Sequence, residues 1–269
     1  MKEIFNINRF FKLVQKESSE RLHMMLKISA IFAALIAAYW LFIIIFSNGE
    51  ASSMASSRVS YIYAVVVITM FLAPFNLYKN YNHRKSGLDY VLLPASVMEK
   101  YLSMLINSVI LLPLFTLFLT LLTDTIITTI TPKIFIGYAV TNLDLGKAVI
   151  QGYAEVLIVQ LGFIYCNLLF RKHKVTKTLL SMIGLYTLFA AVLVFLVTVV
   201  FKSDFEMLQK MGNNTIRING LNDFVQLKEF GEFSTLFKTL FYTWQIFFWG
   251  LLPAWFLSGS YYRMKNLQY

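Results

Sequence analysis

Residues 84–100 read RKSGLDYVLLPASVMEK and lie between two long apolar blocks of the chain. A polar connector has no reason to carry this many apolar side chains unless they pack against another structure. Pro94 ends any helical turn before it, because the residue that precedes a proline avoids the helical region. Ser96 and Glu99 have the spacing of a capping box, which marks the start of a helix. The stretch therefore predicts a short helix, a stop and a capped restart, with an ordinary connector as the alternative.

The apolar blocks on either side predict the fold class. Hydrophobic residues make up 58% of the 269 residues, against roughly 45–50% in soluble domains. The excess is collected in six blocks of about the ~20 residues that cross a bilayer as a helix. We predict an all-α membrane protein with six transmembrane helices and a single transmembrane domain over residues 1–269. The predicted spans are residues 28–46, 59–77, 101–123, 148–170, 178–201 and 239–260.

Positive charge is distributed unevenly between the two sides of these spans. Sixteen of the 24 Lys and Arg residues fall on the side that carries both termini, and loop 171–177 has the densest cluster. Because Lys and Arg are enriched in cytoplasmic loops, both termini are predicted to be cytoplasmic. The net charge of +10 is thereby explained by membrane topology, and no nucleic-acid partner is expected.

Two segments outside the spans have features of their own. Residues 3–16 carry apolar side chains at helical spacing, which predicts an amphipathic elbow helix lying flat on the inner leaflet. Packing of that helix on the cytoplasmic face of its own bundle is the alternative. The loop 202–238 is too long for a simple connector and is predicted to form a small extracellular subdomain.

The motifs of an enzyme are missing from the sequence. Cys166 is the single cysteine, so an internal disulfide is impossible. The three histidines do not share the spacing of a zinc-binding helix, and Gly146-Lys147-Ala148 lacks the glycine loop of a nucleotide-binding P-loop. We therefore expect no enzymatic activity and no cofactor or metal on this chain.

Glu155 is the one acidic residue that falls well inside a predicted span. Carboxylates inside a membrane are costly and are candidate functional groups. Glu155 could line a possible substrate path with Gln151 and Gln160, or it could pair with a polar group of another span. Asn107 and Asn167 are predicted to form hydrogen bonds between helices.

This arrangement resembles the permease subunits of type-2 ATP-binding-cassette (ABC) exporters. Residues 92–100, LLPASVMEK, are similar to the Leu-Pro-x-Ser-Arg-x-Glu stretch that these permeases carry between spans two and three. The form found here especially resembles versions from Bacteroidetes-type bacteria, with Val97 in place of the frequent arginine. The tail 261–265, YYRMK, also resembles the short basic tail of that family.

The resemblance implies a mechanism, a location and partners. Residues 86–95 would be a coupling helix that seats in a separate cytoplasmic ABC ATPase, whose closure tilts the spans. Two permeases, as a homodimer or heterodimer, would form the path in a bacterial inner (plasma) membrane. The expected ATPase-coupling residues are Leu88, Asp89, Tyr90, Val91, Leu92, Pro94, Ser96 and Glu99. The transported substrate is not indicated.

Two other functions fit the same residues. An ion-coupled secondary transporter would use Glu155 as its coupling site, although the chain lacks the internal repeat that is common in such carriers. A non-transporting membrane scaffold or assembly factor would use the external loop and the apolar inner loop as partner sites. The sequence thus predicts a permease subunit of an ABC exporter, with these two as alternatives.

Overall fold

A computed structural model describes residues 5–46, 53–82, 92–143, 146–202 and 234–266 of the chain. These residues are mainly helical, and two-residue strands β1 (Ser53–Met54) and β2 (Phe135–Ile136) form a parallel pair in which Ser53 faces Phe135. The helices are α1 Ile7–Phe46, α2 Ala55–Leu77, α3 Val97–Leu105, α4 Leu112–Ile130, α5 Lys147–Leu169, α6 Lys174–Phe195, α7 Thr235–Ile246 and α8 Leu252–Lys265. A π-helical segment at Ile106–Leu111 continues α3 into α4, a second at Leu196–Val200 extends α6, and a third at Phe247–Leu251 joins α7 to α8. A 3₁₀ helix covers Ala139–Asn142.

The described residues contain six helices, or continuous helical runs, that are long and apolar enough to cross a membrane. They overlap all six predicted spans, which confirms a helical protein of the multi-pass membrane type. The runs are longer than predicted at several ends. The third, for example, covers Val97–Ile130 rather than residues 101–123.

The separate elbow helix predicted over residues 3–16 is not confirmed. Helix α1 continues without a break over 40 residues, a length of about 60 Å at 1.5 Å per residue. Its first turns pack on the protein, since Phe10 and Leu13 are buried, while Ile7 and Phe11 remain exposed. The alternative, a helix packed on its own bundle, is the better description of this segment.

The chain divides into two compact units. Unit one contains residues 1–175 and 256–269, and unit two contains residues 176–255. In unit two, aromatic side chains form edge-to-face pairs, with ring centroids 5.4 Å apart for Phe189 and Trp244. The predicted extracellular subdomain falls mostly on residues 203–233, which lie outside the described residues.

Helix α1 runs parallel to the continuous helix formed by α3, the π-helical segment and α4. The residue numbers of the bonded partners increase in the same direction along both helices: Arg9 bonds Glu99, Ser18 bonds Asn107, and Ser29 bonds Thr116. Helix α2 packs against both and reaches from Arg58, beside Asp124, to Tyr78, beside Glu17. We call the two ends of unit one the Glu99 end and the Asp124 end.

Each end of unit one has its own apolar cluster. Buried side chains at the Glu99 end include Met25, Leu77 and Met104. At the Asp124 end, Trp40 packs on Phe135 with ring centroids 6.1 Å apart. Because lipid is as apolar as these side chains, their stabilising effect comes from close packing.

Candidate functional site

The predicted joint between residues 84–100 and the third span is organised by one carboxylate. Ser96 Oγ accepts a hydrogen bond from the Glu99 backbone N–H at 3.2 Å, and the Ser96 N–H donates to Glu99 Oε2 at 2.9 Å. This is the predicted capping box, which is confirmed. Both side chains are buried, so the start of α3 is held firmly.

The same carboxylate also holds the start of α1. The Asn6 N–H donates to Glu99 Oε1 at 2.7 Å, and the Arg9 guanidinium donates to both carboxylate oxygens at 2.7 and 2.8 Å. Asn6 caps α1, since its Oδ1 accepts from the backbone of Asn8 and Arg9. A negative charge is favourable at the N-terminus of a helix, and Glu99 provides it for two helices at once. The sequence did not predict this second role.

The chain just before the joint is exposed. Leu92 is 78% exposed, and Pro94 is exposed as well, while Ala95 is buried. An apolar side chain therefore protrudes beside a rigid helix start. The predicted coupling residues Leu88, Asp89, Tyr90 and Val91 lie outside the described residues.

Behind the joint, a buried polar cluster connects three helices. Glu17 Oε2 accepts hydrogen bonds from Ser103 Oγ at 2.7 Å, Tyr78 OH at 3.1 Å and Asn107 Nδ2 at 3.5 Å. Ser18 Oγ donates to Asn107 Oδ1 at 2.9 Å. Asn107 thus forms the predicted bonds between helices, from within the π-helical segment. Since a buried charge needs such partners, the cluster fixes how α1, α2 and α3 align.

Asn167 confirms the second predicted bond between helices. Its Nδ2 donates to the Pro74 carbonyl at 3.0 Å. Asn82 bonds in the other direction, because its Nδ2 donates to the carbonyls of Asn167, Leu168 and Phe170 at the end of α5. These carbonyls have no partner within their own helix. The end of α2 and the end of α5 are therefore fastened together.

A pocket of about 420 Å³ opens at the Glu99 end, between residues 16–24 of α1 and the end of α2. Three cationic side chains, Lys16, Arg21 and Lys79, line it, together with one acid, Glu20. The Arg21 guanidinium bonds the Leu77 carbonyl and lies 4.0 Å from the centre of the Tyr78 ring. The pocket is thus cationic on balance.

The Asp124 end holds a buried ion pair that the sequence did not predict. Arg58 Nε lies 2.8 Å from Asp124 Oδ1, and both side chains are almost fully buried. Arg58 Nη1 donates to the Ser53 carbonyl at 2.7 Å, and Nη2 donates to Thr128 Oγ1 at 3.3 Å and to the Gly137 carbonyl. Gly137 has a φ of +73°, a left-handed backbone that suits glycine.

The second oxygen of Asp124 is also bonded. The Ala139 N–H donates to Asp124 Oδ2 at 2.9 Å. The pair therefore ties the start of α2 and the last turns of α4 to the segment that follows β2. The predicted second span begins at residue 59 and the predicted third span ends at residue 123, so both residues fall just outside the predicted helices. Mutual neutralisation lets both of them sit inside helices.

The three residues of the predicted substrate path lie on one helix, α5, but in different surroundings. Glu155 is exposed and makes no ion pair within the described part of the chain, and Gln151 is half-buried. Gln160 is fully buried, and its Nε2 donates to the Ser108 carbonyl at 2.9 Å and the Met70 carbonyl at 3.2 Å. The structure does not bring the three together, and their place on a substrate path stays a prediction.

Two side chains of α5 donate hydrogen bonds to backbone carbonyls that prolines leave without a helical partner, and Gln160 is one of them. A proline has no N–H, so the carbonyl four residues earlier loses its helical partner. Pro74 frees the Met70 carbonyl, which Gln160 bonds. Pro113 frees the Val109 carbonyl, and Tyr153 OH donates to it at 3.2 Å. The α5 side chains thus replace backbone bonds that α2 and α4 lack. The sequence alone did not predict this role of Pro74.

Replacing Gln160 with leucine is expected to lower the free energy of unfolding by about 2 kcal/mol, because two buried carbonyls lose a donor. Thermal unfolding in a mild detergent, followed by circular dichroism, measures the effect. Gln151→Leu is the matched control and should change stability by less than about 0.5 kcal/mol. Pro74→Ala should offset part of the loss, since it restores a backbone partner for Met70. Equal effects of Gln160→Leu and Gln151→Leu would contradict the structural role.

In the described part of the chain, no group of three or more His, Cys, Asp or Glu side chains is placed so that it could hold a metal ion. No protein-family model, curated protein or solved structure matches this chain.

Proposed function

We propose that this chain is the membrane-spanning permease subunit of an ABC-type exporter and that a separate cytoplasmic ATPase drives it. The observation that carries the proposal is the joint at Glu99. An exposed apolar segment precedes a capped helix, and the same carboxylate ties that helix to α1. In this proposal the Glu99 end faces the cytoplasm, as the charge distribution predicts.

The joint supports the proposal because it would transmit force. Ser96 lies only four residues after Leu92, so a force applied at Leu92 would act on the start of α3. Because Glu99 bonds the starts of both α3 and α1, the same force would act on α1 as well. Helix α1 is bonded to the helix through α3 and α4 along its length, so the two would tilt as one body. A loosely attached loop would absorb the same push.

The sequence supports a separate subunit as the energy source in this proposal. The chain carries no P-loop, so the energy source would be a partner subunit. Two copies, or this chain and a second permease, would enclose the path, and the bacterial plasma membrane would be the location. The cargo is left open by this proposal.

Replacing Tyr90 and Leu92 together with aspartate is expected to abolish co-purification of the ATPase, because charged side chains cannot fill an apolar cleft. The measurement is a pull-down from membranes that co-express the chain and the P-loop ATPase encoded nearest to its gene. Membrane insertion should be unchanged, since Leu92 is exposed.

The matched control replaces Ile7 and Phe11 with aspartate. Both residues are apolar and exposed at the same end, but they lie outside the segment 84–100. The control should keep the ATPase. Retention of the ATPase by the Tyr90 and Leu92 variant, or its loss in both variants, would refute the coupling role of this segment.

A further inference from the structure

The cationic pocket at the Glu99 end is not used by the proposed export mechanism. Its lining residues include Lys16, Arg21 and Lys79 against one acid, Glu20, which lies 3.8 Å from Lys16. Arg21 and Lys79 form no ion pair within the described residues. We propose that this pocket binds the phosphate group of an anionic phospholipid.

Neighbouring charges strengthen the cationic character of the pocket. Lys174 adds another cation nearby, as its Nζ donates to the Lys79 carbonyl at 2.6 Å. Glu17 lies behind the Tyr78 wall and adds a second acid to Glu20. The four cations Lys16, Arg21, Lys79 and Lys174 still outnumber these two acids, so an incoming anion would meet a net positive charge.

Arg21 is held in place for such a ligand. One guanidinium nitrogen bonds the Leu77 carbonyl, and the guanidinium carbon lies 4.0 Å from the centre of the Tyr78 ring. The buried Nε has no hydrogen-bond partner within the described residues. A fixed guanidinium loses little entropy when it binds phosphate, and its planar donors match phosphate oxygens. Lys16 and Lys79 are exposed and can reach the same anion as flexible point charges.

The surroundings favour a lipid over a soluble anion. Apolar side chains also line the pocket, among them Met24, which is 45% exposed, and Leu93. Only one turn beyond Met24, α1 enters the apolar span predicted from residue 28. A phosphate in the pocket would thus sit at headgroup depth, with its acyl chains beside the exposed apolar positions of α1. Basic pockets between membrane helices are known to bind such head groups.

The test measures lipid binding to the full chain, purified in a neutral detergent, by native mass spectrometry. Wild-type protein should bind phosphatidylglycerol much more tightly than phosphatidylcholine. The variant Lys16→Gln/Lys79→Gln should bind phosphatidylglycerol about 25-fold more weakly, because each basic side chain near an anionic lipid contributes about a fivefold preference. Both lysines are exposed, so the variant is expected to fold, and its circular dichroism melting curve checks this.

The matched control is Lys12→Gln/Lys172→Gln, which removes two exposed cations outside the pocket. It should bind phosphatidylglycerol within about twofold of wild type. An equal loss in both variants would overturn the proposal, because binding would then follow total charge. Displacement of the lipid by millimolar inorganic phosphate, with no preference between the two lipids, would overturn the lipid assignment. The proposal is independent of whether an ATPase drives the chain.

Discussion

Replacing Asp124 with leucine is expected to lower the free energy of unfolding by about 4 kcal/mol. The Arg58 guanidinium has no exposed surface and would keep its charge without a counter-charge. The Ala139 N–H would lose its acceptor as well. Titration with sodium dodecyl sulfate from a mild detergent, followed by circular dichroism, measures the change.

The double variant Arg58→Met/Asp124→Leu separates loss of the pair from loss of a partner. Removal of both charges leaves no unpaired ion, but the Ala139 N–H and the Ser53 and Gly137 carbonyls still lose their partners. The double variant should therefore cost about 2 kcal/mol, roughly half the loss expected for Asp124→Leu. Lys133→Gln, at the same end, is the control for charge removal alone. A double variant as unstable as Asp124→Leu would mean that the pair is not the source of the effect.

Glu99→Ala is expected to cost about 3 kcal/mol, because the capping box is lost and the donors of Asn6, Ser96 and Arg9 lose their acceptor. Glu99→Gln should cost less, since an amide oxygen can still accept from one helix start. Stability is measured by the same detergent titration. In an exporter, both variants should also lower ATP-driven transport, as the joint would loosen.

Glu20→Ala is the matched control for Glu99→Ala. Glu20 is an exposed acid at the same end, and its ion pair with Lys16 spans 3.8 Å on the surface, so its loss should cost less than about 0.5 kcal/mol. If the two alanine variants proved equally stable, the Glu99 carboxylate could not be the tie between α1 and α3.

The part of the joint that is local in sequence could be predicted, and the part that is distant could not. Ser96 and Glu99 are three residues apart, and the capping box has a known spacing, so it could be recognised. Asn6 and Arg9 are about 90 residues from Glu99. No local pattern reports such a contact. The six apolar blocks were recognisable because a spanning helix depends on local composition.

Charged residues explain most of the misplaced boundaries. Glu17 and Arg21 interrupt the apolar pattern of α1, so we began the first span at residue 28, yet both side chains have partners within unit one. Arg58 and Asp124 shortened the second and third spans for the same reason. A charged residue can sit inside a helix when another segment neutralises or bonds it. That compensation depends on tertiary structure and cannot be read from neighbouring residues.

In the proposed permease, the hydrogen bonds that α5 side chains donate at the two proline sites would limit where a transported molecule passes. Separation of α5 from α2 and α4 would break the hydrogen bonds that Gln160 and Tyr153 donate to the Met70 and Val109 carbonyls. In a bilayer no water can replace these donors, so each unpaired carbonyl would cost several kcal/mol. In the proposed permease, the contact between α5 and these two helices would therefore stay closed during transport. A transport path would then open along a different boundary, and cross-links placed between α2 and α5 should leave the transport rate unchanged.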